Sequence, residues 1–167
     1  AKEPVEFPKD VKKFTIAARR YFNAIPKGEN VVAIKYRVGA LHYYFNQYDP
    51  ALRYFREIIK RYPKTEYAEY SANLTLDIYN LRKDYVGLQA AAEDILKVPS
   101  LRKSKVGAQI RNIKVQTDFK MAKDLEDKKE FGRAANAYKA FARKNRTSPL
   151  ALTAIYNAGI NFERGGD

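Results

Sequence analysis

The chain has 167 residues, 46% of them hydrophobic and 31% charged, a folded composition long enough for one core of ordinary size. No stretch is long and apolar enough to cross a bilayer as a helix, and the absence of cysteine excludes disulfides, thiolate metal sites and thiol catalysis. Thirty-two Lys and Arg against 19 Asp and Glu give a net charge of +13, which predicts an acidic counterpart: a protein surface, anionic lipid headgroups or nucleic acid.

Residues 1–8 hold two prolines and no periodicity, and read as an extended lead-in. The spacing of Val11, Phe14, Ala17, Ala18, Tyr21, Phe22 and Ile25 predicts a helix from Lys9 to about Ile25, stopped by Pro26 and Gly28. Asn30 reads as the N-cap of a second helix reaching Asn46. Pro50 suits the first turn of a third helix, which ends at Tyr62-Pro63. Thr65 with Glu66 and Glu69 opens a fourth helix to Leu81, and a fifth runs from Asp84 to Lys97. A long helix from Leu101 to Asp127, one from Phe131 to Arg143 and one from Leu150 to Glu163, ended by Gly165-Gly166, complete about eight. No segment alternates at period two, so the fold class is all-α.

One phrase returns. Tyr48-Asp49-Pro50-Ala51-Leu52, with Phe55, Ile58 and Tyr62-Pro63, is echoed 37 residues on by Tyr85-Val86-Gly87-Leu88, with Ala92, Ile95 and Val98-Pro99. The next cognate of Ala51 and Leu88 is Ala134, 46 residues beyond Leu88, so the intervening helix is longer. A repeat of this length predicts an array whose units bury their apolar faces by stacking, with function on an extended surface.

The spacing Gly39, Ala51, Phe55, Ile58, Pro63 resembles the tetratricopeptide repeat, in which a small residue admits a neighbouring helix, an aromatic fills the wedge and Pro stops the second helix. Leu76, Leu88, Ala92, Ile95 and Pro99 are similar to a second unit, and Ala122, Ala134, Tyr138 and Phe141 to a third. Asn157-Ala158-Gly159, Phe162 and Gly165-Gly166-Asp167 resemble the first helix and turn of another. The resemblance implies one domain over residues 9–167, an α-α superhelix of antiparallel helix pairs. Within it, 9–26 is the second helix of a truncated repeat, 30–63 and 66–99 are repeats, 101–146 is a lengthened repeat, and 149–167 is the first helix of a truncated one. Both ends then fall inside repeats, as in a piece of a longer solenoid, and uncapped ends would favour self-association. The run from Tyr48 through Tyr62-Pro63 to Tyr67-Ala68 is similar to a subgroup of bacterial envelope proteins: the Tol-Pal coordinator, the outer-membrane assembly lipoprotein and gliding-motility repeat proteins. It implies a periplasmic or envelope location, with the cytoplasm as the alternative.

Catalysis has little support. The single histidine, His42, falls on the packing side of its helix, with no second histidine to make a metal pair. Phosphate loops, nucleophile elbows and zinc-protease patterns are absent, so the chain reads as a non-enzymatic protein-binding scaffold with no cofactor and no metal site. The resemblance places the first helix of each pair on a concave groove. By register the lining is Tyr36, Ala40 and Tyr43; then Asn73, Asp77 and Asn80; then Phe119, Lys123 and Glu126; then Tyr156 and Ile160. Amide side chains carry a donor and an acceptor together and can hold an extended peptide backbone; a merely solvated polar stripe is the open alternative. The carboxylate clamp of chaperone-binding relatives is not expected, because Tyr36 and Ala40 occupy its places.

A second candidate is the basic stretch Lys97, Arg102, Lys103, Lys105, Arg111 and Lys114, with no acid between Asp94 and Asp118. It suits docking on an acidic protein or peripheral contact with anionic lipid; plain solubility is the alternative. Nucleic acid is the weaker partner class, since the stretch lacks interleaved aromatics for base stacking.

Overall fold

The computed structural model describes residues 3–166; residues 1 and 2 of the lead-in and Asp167 of the final turn lie outside them. The chain is 79% helix with no strand among the described residues. Nine helices follow one another: α1 (Lys9–Ala24), α2 (Val31–Tyr44), α3 (Tyr48–Arg61), α4 (Glu66–Leu81), α5 (Tyr85–Leu96), α6 (Pro99–Lys103), α7 (Lys105–Asp127), α8 (Phe131–Lys144) and α9 (Ala151–Gly165).

Against an expectation of about eight there are nine among the described residues, because the helix expected from Leu101 is two. Pro99 does not follow the end of α5 as a bare stop; it opens α6, where its missing N–H goes unmissed. Ser104 then leaves the helical region at φ −83°, ψ 176°. Its hydroxyl donates to the Leu101 carbonyl at 3.0 Å and accepts from the Val106 N–H at 3.2 Å, closing one helix and starting the next. Gly107 is needed at this corner, since a Cβ there would run into the backbone of Arg102.

Helix starts fall near their expected places but by other means. Asn30 and Thr65 precede α2 and α4 without a side-chain capping bond; Thr65 instead donates to the Tyr62 carbonyl at 2.8 Å. Asp84 does cap, its carboxylate accepting from the Gly87 N–H at 2.9 Å. The helix ends recur more regularly. Asn46, Lys83, Lys129 and Gly166 all take positive φ just beyond α2, α4, α7 and α9, standing 37, 46 and 37 residues apart.

The chain divides into two compact units, Ala1–Ala108 and Gln109–Asp167. In the first, Tyr48, Ala51, Leu52 and Phe55 form the buried face of α3 and pack with Ile78 of α4, a spacing of three and four that keeps them on one side. Gly39 of α2 allows close approach: a Cβ there would come within 2.8 Å of the Phe55 ring. Lys35 ties α2 to α3 through Glu57 at 2.8 Å, its ammonium 4.7 Å from the centre of the Phe22 ring of α1. The lead-in is docked as well as extended. Val5 N–H donates to the Phe45 carbonyl at 2.8 Å, Gln47 returns a bond to Val5 at 2.6 Å, and Phe7 packs against Phe45 and His42. The second unit is organised around Ala122, Tyr138, Phe141, Ala142, Ala154 and Ala158 from α7, α8 and α9.

Candidate binding groove

In the first unit α2 and α4 lie side by side with the same sense. Tyr36 meets Tyr67 and Tyr70, at ring-centre distances of 5.5 and 5.7 Å, and Tyr43, two turns further along α2, meets Asp77, two turns beyond Tyr70. Ala33, Tyr36, Arg37, Ala40 and Tyr44 share one face of α2 because they are spaced by three and four. With Tyr67 they line an open groove of about 520 Å³. Tyr44 is 71% exposed and Tyr70 44%, an unusual outlay of ring surface that offers broad, rigid, amphipathic contact.

Beside the groove, α4 carries a polar row that starts from Tyr70, the ring in contact with Tyr36. Tyr70, Asn73, Asp77 and Asn80 lie on one helix face; Asn73 and Asn80 are exposed and Asp77 is half-buried. The Tyr43 hydroxyl donates to the Asp77 carboxylate at 2.5 Å. Burial first, and this bond second, hold the phenolic proton on well above its ordinary range. Burial, with Tyr44 and Tyr70 beside it, raises Tyr36 in the same sense. Asn80 already has an interaction within the protein, so the row is partly built into the fold.

His42 stands behind this face in packing contacts. Its Nδ1 lies 2.8 Å from the Gln47 side-chain oxygen, Tyr54 stacks on it at 5.8 Å and Phe7 tilts over it at 4.9 Å. Burial lowers its pKa, against the Gln47 bond and with the help of Arg53 and Arg19. No group of three His, Cys, Asp or Glu among the described residues is placed to hold a metal ion.

The remaining predicted residues scatter. In the second unit Phe119, expected on the groove, is half-buried with its ring edge-on to Tyr138 and Phe141 at 5.3 and 5.4 Å, so its greater part belongs to the packing. Lys123 is exposed, Glu126 accepts from the Tyr138 hydroxyl at 2.9 Å, and Tyr156 is 70% exposed. Burial and the bond to Glu126 push Tyr138 up to about 12. The basic stretch falls into two parts. Lys97, Arg102, Lys103 and Lys105 are exposed in the first unit, and Arg111 is exposed and Lys114 half-buried in the second. The stretch is not wholly uncompensated: Lys97 pairs with Asp94 at 2.7 Å, an acid just outside the segment, and Lys114 has an interaction of its own.

Tyr44 and Tyr67 line the groove and stand outside the lining expected from sequence. The signal for Tyr44 is its step of four from Ala40 on α2, and for Tyr67 the steps of three through Tyr70 to Asn73 on α4. Comparison with protein-family models, with curated proteins and with solved structures finds no match for this chain. Among the described residues no helix is long and apolar enough to cross a membrane.

Proposed function

We propose that the protein is a non-enzymatic scaffold, a tetratricopeptide-like stack of helix pairs that grips an extended segment of a partner protein on the α2–α4 face of its first unit. The observation that carries this reading is an open groove lined by Tyr36, Tyr44 and Tyr67, with Tyr70 in ring contact with Tyr36 and the row Asn73, Asp77, Asn80 following Tyr70 on one face of α4. The rings supply contact area, and the amides supply donors and acceptors that satisfy a peptide backbone of any sequence. The recurrence of left-handed helix ends at intervals of 37, 46 and 37 residues supports the stacked arrangement. A place in a bacterial envelope or motility assembly rests on the sequence resemblance alone.

Peptides selected on the protein from a random library test the reading. A selected peptide should lose about tenfold in affinity when Asn73→Ala and Asn80→Ala are combined, and as much with Tyr44→Ala, while the melting temperature of the Tyr44→Ala protein stays in place. Selected peptides that bind these variants as tightly as the parent would remove the groove from the account.

A further inference from the structure

Helix α1 carries an apolar residue on its outer side. Ala18 is buried, while Ile16, two residues earlier and about 200° round the helix, is 55% exposed. The positions that surround Ile16 on a helical surface, three and four residues to either side, are Lys12, Lys13, Arg19 and Arg20, all exposed. An isoleucine left in water and four like charges gathered round it are each unfavourable until an anionic, partly apolar counterpart arrives. Lys12 reaches Glu6 at 2.9 Å and Lys13 stands 4.0 Å from Asp10, but the two acids are 89% and 96% exposed, and such surface pairs hold loosely. Arg19 and Arg20 have no ion pair among the described residues.

This outer side does not belong to the packing of helix on helix. Helices α1 and α3 end alike 37 residues apart, at Ala24 and Arg61, with the next N–H returning to the carbonyls of Tyr21 and Ile58. Ala18 is thus cognate with the buried Phe55, and Ile16 with Arg53. Although α3 packs on both α2 and α4, Arg53 is exposed, and so is Arg56, the cognate of Arg19. The same face therefore stays open on a helix whose neighbours are in place. Arg19 and Arg53 both bear on the charge of His42, so the basic face runs from α1 across to α3.

We propose that the outer face of α1 rests on an anionic lipid bilayer, with Ile16 pressed into the boundary between headgroups and acyl chains and Lys12, Lys13, Arg19 and Arg20 against the lipid phosphates around it. The cations call for a negatively charged surface. An apolar residue at the crest of a convex helix calls in addition for a surface that yields to it at any point, which headgroups over acyl chains supply and a nucleic-acid backbone does not. The face is on α1, apart from the tyrosine groove of α2 and α4, and its test does not depend on that groove binding anything.

The probe is the full chain sedimented at about 0.1 M salt with vesicles of phosphatidylcholine containing about 30% phosphatidylglycerol, or with phosphatidylcholine alone. Binding to the anionic vesicles and little to the neutral ones is expected. Arg19→Glu with Arg20→Glu should weaken it more than about tenfold, whereas Arg102→Glu with Lys103→Glu, an equal change of net charge elsewhere, should cost less than about threefold. Ile16→Ser, which alters no charge, should weaken it about fivefold. All these side chains are exposed, so the melting temperature should stay in place. Because the chain has no cysteine, Ile16→Cys and Leu152→Cys each take a single polarity-sensitive fluorophore. Its emission should shift to the blue with anionic vesicles at position 16 and not at position 152, a residue 80% exposed in the second unit. The proposal is overturned if anionic vesicles do not bind, if the two double reversals act equally, or if the label at position 16 does not shift. A DNA duplex or polyglutamate that binds and is lost with Arg19→Glu and Arg20→Glu, while vesicles do not bind, would overturn it in favour of an acidic macromolecule.

Discussion

The bond from the Tyr43 hydroxyl to Asp77 joins α2 to α4 two turns along from the ring contacts of Tyr36. Removing the donor strands a half-buried carboxylate, so Tyr43→Phe should destabilise the protein by about 1–3 kcal/mol, measured by chemical denaturation, while Asp77→Asn, which keeps an acceptor, should cost less. His42 gives a second expectation. Its pKa is depressed in the fold, so the unfolded chain takes up the proton first; stability is held above pH 6.5 and lost as the pH falls below it. Because this is the only histidine, a decline that begins as the pH falls below 6.5, ahead of most carboxylates, should vanish in His42→Gln. Residue-level reading from sequence was mixed. Tyr44 and Tyr67 line the groove but were not in the expected lining, since aromatics at helical spacing usually signify packing, and only burial separates the two uses.

Helices were legible because apolar residues at steps of three and four leave few other solutions, as in Tyr48, Ala51, Leu52, Phe55 and Ile58 of α3. Helix starts were less so, since Asn30 and Thr65 are suitable caps whose side chains make no capping bond. The break at Ser104 was hidden for a similar reason: serine is tolerated within a helix, and only the corner it forms with Leu101 and Val106 reveals its use. The docked lead-in left no pattern, being held partly by the backbone bond from Val5 to Phe45. Two helical glycines, Gly39 of α2 and Gly159 of α9, offer a sharp element-scale contrast. Gly39→Ala would drive a methyl into Phe55 and Tyr54 and should lower the melting temperature, an overpacking cost of about 1–3 kcal/mol. Gly159→Ala meets open space and should raise it, by about 0.5–1 kcal/mol of helix propensity. Equal effects at both sites, read by thermal unfolding, would contradict the difference in the space around them.

A net charge of +13 acts on the molecule as a whole. It predicts retention of nucleic acid in gel shift at low salt that falls steeply between about 50 and 200 mM, because phosphate attraction without base stacking has little else to hold it. Reversing Arg102 and Lys103, exposed at the last turn of α6, should slow association with an acidic partner at low salt and leave stability within about 0.5 kcal/mol. The fold class followed from composition and period because both are properties of the chain as a whole. The groove did not, because it depends on which half-buried rings remain uncovered once the helices have packed. The most direct test places a photo-crosslinking amino acid at Tyr44, on the groove, or at Val86, equally exposed on α5 but away from it, and irradiates the protein with a selected peptide. Cross-linking from position 44 and none from position 86 is the predicted result; cross-linking from 86 with none from 44 would contradict the account.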